Sequence, residues 1–144
     1  MPIATFDPKK VAVIVGGKPI SGFASDSFVK VTRTTNTWEK VTGVDGLTTR
    51  IRQGDKSGRI EITLMQSSPD NDYFSGLCDL DEATGGGVVP ILIKDLLGTS
   101  LDHTPAAWIV KPVDTEFGKS SKDRVWAFEC VDLDKKAGGN PAIF

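Results

Sequence analysis

The side chains that could do chemistry in this chain are few and poorly spaced for it. His103 is the single histidine, and it follows Asp102. A hydrolytic triad needs a nucleophile beside a base and a third group that orients the base in space, and an acid next to a histidine along the chain provides neither. Asp79, Asp81 and Glu82 form one acidic group and Asp132 with Asp134 another, with the alternation that can hold a hard cation. A calcium loop also needs a third oxygen ligand and a glycine at fixed offsets, and Ala83 and Lys136 stand at the third-ligand positions. These carboxylates read as solvated acidic surface. The triple glycine at 85–87 leads into a strand pattern and lacks the Gly-Lys-Ser/Thr ending of a phosphate cradle, so it reads as a helix stop. Cys78 and Cys130 have no partner at ligand spacing and read as small buried thiols. The expectation is a protein with no catalytic residue, metal or cofactor, and not an enzyme.

The densest group of charges lies elsewhere. Trp38, Glu39, Lys40, Asp45, Arg50, Arg52, Asp55, Lys56 and Arg59 fall in a segment, 38–59, that is strand-like yet reads as charged and polar on both faces. A hairpin arm that cannot bury itself in its own domain lies on another molecule, and aromatics and arginines dominate such contacts. These residues are therefore the candidate subunit-assembly set. Arg50, Arg52, Lys56 and Arg59 could instead face nucleic acid, but Asp45, Asp55 and Glu61 interleave with them and the net charge is −2. An acidic protein neighbour, such as the 79–82 segment of another copy, accounts for both signs. Trp108 and Trp126 sit in apolar strands and read as core, so a glycan platform would rest on Trp38 alone.

The elements that must position these residues are mostly strands. At 144 residues, 39% hydrophobic and 25% charged, the chain suits one domain that buries about two thirds of its unfolded surface. Its apolar runs are too short for a membrane helix, and its start lacks a signal-peptide pattern, which points to synthesis in a cytoplasm. Residues 11–15 alternate and turn at 16–19. Residues 28–32 alternate again, and Asp45-Gly46 and 54–58 are turn signals. Ile60, Ile62 and Leu64 make a half-buried strand. Ser68 as N-cap, Pro69 at the first helical position and a Tyr73, Phe74, Leu77, Cys78 stripe predict one helix at about 68–83. The continuous apolar run 88–93 predicts a central strand with Pro90 at a bulge or edge. Strands at 106–110 and 125–131 flank a polar loop at 115–123. The tail at about 135–144 is too glycine-rich to hold itself, and its end, Ile143-Phe144, could dock on a neighbour. The fold class is mainly β, a barrel or sandwich with one flanking helix and a long hairpin arm.

The order of these parts resembles the tail tube proteins of contractile-tailed bacteriophages, over about residues 6–134. The run Ile60-Glu61-Ile62-Thr63-Leu64-Met65-Gln66-Ser67-Ser68, followed by Asn71-Asp72, carries most of the likeness. The resemblance implies six copies per ring and rings stacked into a hollow tube inside a contractile sheath. It implies a virion location, contacts with sheath, terminator and baseplate proteins, and DNA passing through the lumen without sequence-specific binding. The haemolysin-coregulated tube protein of type VI secretion shares that fold and gives one alternative; a carbohydrate-binding β-sandwich module gives another. Duplex DNA carries one negative charge per about 1.7 Å, so a basic lining would hold it, and a neutral or acidic lumen is expected.

Overall fold

Among the described residues the chain forms ten strands, the longer ones with one apolar face turned inward, and one change of period builds an α-helix. In the computed structural model, which describes residues 2–142, the elements are β1 (Val11–Val15), β2 (Lys18–Pro19), β3 (Val29–Arg33), β4 (Trp38–Thr42), β5 (Thr48–Arg52), β6 (Gly58–Leu64), α1 (Asp70–Thr84), β7 (Val89–Asp95), β8 (Leu101–Ile109), β9 (Arg124–Val131) and β10 (Asp134–Lys136). Eight strands form one sheet in the order β2, β1, β7, β8, β9, β6, β3, with β10 paired to β8. The strands β4 and β5 pair only with each other. The large sheet is not closed, because its ends β2 and β3 do not pair. Of the two expected architectures, an open sandwich-like sheet is the one formed, with its inward side chains in one core.

Strict alternation places that core. In β6 the residues Ile60, Ile62 and Leu64 are buried, and Val13, Val15, Ile91, Ile93, Trp126, Phe128 and Cys130 join them. Helix α1 covers this face with Phe74, whose ring meets Trp126 at 5.5 Å and Phe128 at 5.3 Å, both edge-on. The helix starts as its sequence dictates: Pro69 already has helical dihedrals and the Ser68 hydroxyl accepts from the Asp70 N–H at 3.3 Å. Gly85, at φ 74°, ends it. Buried Asn71 then ties helix to strands. Its amide donates to the carbonyls of Met65, Gln66 and Ser68, and its oxygen accepts from the Trp126 indole at 3.0 Å.

Several expectations need correction. The strand expected at 106–110 begins at Leu101, because β10 and β7 pair with its first half, and His103 thus lies within it. Pro90 does sit at a register shift between β7 and β8. Trp126 is core, but Trp108 is half-buried on the outer face, where Glu129 pairs with it. Residues 54–58 form no strand-to-strand turn; they return the chain to β6. The glycine-rich tail is held rather than loose. Asp134–Lys136 pairs with β8, the Thr99 N–H donates to the Gly139 carbonyl, and Asn140 donates to Asp95 at 2.8 Å. A Cβ on Gly138 would collide with Thr99, so glycine is what lets the tail lie this close. The apolar end Ile143-Phe144 lies outside the described residues.

Candidate assembly surface

The arm is the part of the molecule whose side chains its own body does not use. Residues 36–52 are all exposed. Its strands pair Trp38 with Arg52, Lys40 with Arg50 and Thr42 with Thr48 on one face, and Glu39 with Ile51 and Val41 with Thr49 on the other. The two faces therefore differ, contrary to the expectation of polar residues on both. One face is basic and aromatic: the Arg50 guanidinium lies 3.8 Å from the centre of the Trp38 ring and Arg52 lies 5.9 Å away. The other face carries Val41 and Ile51, 57% and 43% exposed. The tip, turning at Gly46 (φ 90°), adds exposed Val44 and Leu47. Alternation could have revealed this face, since Val41 and Ile51 are out of phase with Trp38 and Arg52. The surrounding charges masked it.

Of the residues singled out in the sequence, Trp38, Glu39, Lys40, Asp45, Arg50 and Arg52 lie on the hairpin, while Asp55, Lys56 and Arg59 lie at or beyond its root. Among the described residues, Lys40, Arg50 and Arg52 have no carboxylate within ion-pair distance. The root is tied to the body. Asp55 accepts from the Ser57 hydroxyl and N–H, which hold its carboxyl below the ordinary value, and from Thr35. Lys56 donates to Asp134 at 2.7 Å, and this bond and charge lower the Asp134 carboxyl. The Leu133 N–H donates to the Lys56 carbonyl at 2.9 Å, and Arg59 pairs with Glu61 on the sheet's outer face. A free hairpin therefore stands on a fixed base.

The other chemical candidates are spoken for by the fold. His103 approaches Asp134 at 3.3 Å, not Asp102, which pairs with Lys135 as strand alternation requires of neighbouring residues. Among the described residues no three His, Cys, Asp or Glu side chains converge as a metal site would. Cys78 and Cys130 are buried, and burial raises both thiols. Pairing of strands also creates a feature the sequence did not disclose. A groove of about 520 Å³ crosses the outer face of β1, β7 and β8, with an apolar floor that includes Ile14, Pro90, Leu92 and Pro105. Its signal in the sequence was the unbroken apolar run of β7, half of which points away from the core.

No family model matches the chain. Among curated proteins it is similar to structural protein ORF10 of Pseudomonas phage KPP10, at 26% identity over 148 residues, spanning 97% of this chain and 86% of that protein. The similarity runs across body and arm alike, to a structural protein of a phage.

Proposed function

We propose that this chain is a structural subunit of a phage virion, and more specifically of an inner tail tube, where copies join through the exposed arm. The observation that carries the reading is the arm itself: a formed hairpin with an unpaired basic face and an uncovered apolar face, mounted on a base fixed by Lys56 and Asp55. The end-to-end similarity to a phage structural protein supports the virion role. The tube is the finer step, and it rests on the order of parts along the chain and on the physics of the open sheet. An open sheet with a free edge strand such as β3 invites extension by a neighbouring copy, which closes a ring and removes exposed edges. A head-to-tail contact between rings then grows until another protein terminates it.

In that arrangement the protein works as a conduit and performs no reaction. Sheath, terminator and baseplate proteins are its partners, and DNA slides through the lumen. Lys40, Arg50 and Arg52 are taken up at contacts between copies, which leaves the remaining surface more acidic than the whole-chain charge of −2 and suits passage of a polyanion. The glycan reading loses its platform, because Arg50 already lies over the Trp38 ring. Electron microscopy of the purified chain tests the proposal. Stacked rings are expected for the wild type and separate subunits for Arg50→Glu with Arg52→Glu. Separate unstacked rings from the wild type would favour a secretion-type tube, and unchanged tubes from the double variant would remove the arm from its role.

A further inference from the structure

Building on the reading that copies assemble through the arm, we infer that the basic face of the arm seats on the last turns of helix α1 of a second copy, with Lys40 and Arg50 meeting Asp79 and Glu82. The hairpin register gathers Trp38, Lys40, Arg50 and Arg52 on one face and puts Glu39 on the other, so the strands present three cations and no carboxylate on that face. Lys40 and Arg50 stand directly opposite each other across the two strands, which sets their Cβ atoms about 5 Å apart. Asp79 and Glu82 are exposed and three residues apart on α1, which sets theirs about 5–6 Å apart. Two charges of one sign therefore meet two of the other at matched spacing. Trp38, 45% exposed, and Leu80, 46% exposed beside Asp79, give the contact an apolar part.

The end of α1 lacks a cation in its own copy. The helix carries Asp79, Asp81 and Glu82 in its final turns and has no lysine or arginine along its length. Acids at that end add to the negative pole of the helix, where a basic side chain is the stabilising choice. Among the described residues Asp79, Asp81 and Glu82 make no ion pair, and Asp81 is used instead to accept from the Gly87 N–H. Arg124 lines a small cavity with Asp79, yet its guanidinium lies over the Phe117 ring, 5.9 Å from the centre. The negative field reaches the helix itself: after burial, the charges of Glu82, Asp79 and Asp81 are what raise the Cys78 thiol. The arm supplies what is missing, because Lys40, Arg50 and Arg52 lack carboxylate partners in their own copy. With the arm of one copy on the helix of the next, the contact is head-to-tail and leaves a free arm and a free helix at every growing end.

Charge exchange tests it, with assembly followed by sedimentation and electron microscopy. One chain carries Lys40→Glu with Arg50→Glu, a second carries Asp79→Arg with Glu82→Arg, and a third carries all four. The first two should each stay as separate subunits, while their equal mixture should assemble, because every junction between unlike chains pairs opposite charges. The third should assemble alone. Denaturant unfolding checks that each chain is folded; the helix variant should be no less stable than wild type, since arginine suits the end of a helix better than an acid does. A helix variant that assembles as wild type does would overturn α1 as the seat and leave arm-driven assembly standing. A third chain that assembles while the mixture does not would show the arm lying on its own helix, and would overturn the proposal too. A wild type that never assembles would sink the assembly reading and this inference with it.

Discussion

The body and the arm of this protein are built from the same kind of strand, yet they obey opposite rules. In the body, β1, β6, β7, β8 and β9 each have one face on a core sealed by Phe74, Trp126 and Phe128, and buried Asp70 and Asn71 are hydrogen-bonded there. In the arm the hydrogen-bond ladder is complete while the side chains of 36–52 meet solvent. Backbone pairing alone makes an isolated two-stranded hairpin marginal in water. A strand earns its stability from what covers its faces, so the proposed assembly makes the arm the part of the chain whose stability depends on a partner.

Substitutions can sharpen that contrast, beginning where the loss is greatest. Phe74→Ala empties the centre of the helix–sheet contact and should cost about 3–5 kcal/mol in denaturant unfolding of the unassembled chain. Asn71→Ala leaves the Trp126 indole and several carbonyls without their partner and should cost about 1–3 kcal/mol by the same measurement. Asp70 should act more weakly and only over part of the pH range. Its burial favours the neutral acid, but Lys18 at 2.6 Å and the Ser21 N–H at 2.7 Å outweigh this and hold the carboxyl below its ordinary value. Such a group stabilises the fold above the carboxylate's unfolded pKa and loses that contribution as the pH falls toward the folded one. Asp70→Asn should therefore be less stable than wild type near neutrality, and the gap should close in acid titrations of unfolding. Arg50→Glu with Arg52→Glu should move the unfolding of separate subunits by no more than about 0.5 kcal/mol, since neither residue has a partner in the body. A large shift there would mean that the arm is part of the body's own stability.

Much of the body was legible because one period governs it. The β6 alternation, the Ser68-Pro69 helix start, the Gly85 stop and the Pro90 bulge each follow from a local rule that nothing distant overrides. The misses share another cause. The first half of β8, the held tail and the position of Trp108 depend on which strand lies alongside, and that is decided by pairing across the chain. Gly138 shows the limit well: composition reads it as looseness, whereas close approach to Thr99 makes it a packing residue. In the candidate surface, the hairpin and its basic residues were visible, but the apolar face was hidden among charges. Of the groove only the apolar run of β7 gave a hint, because Ile14, Leu92 and Pro105 come from three strands that meet only in the fold.

Amide hydrogen exchange across 38–52, compared between dilute separate subunits and the assembled form, tests the dependence of the arm on its partner most directly. Rapid exchange in separate subunits, slowed strongly on assembly while 58–64 stays protected in both, is the predicted result. Strong protection of the arm in the separate subunit, or exchange that assembly leaves unchanged, would contradict it.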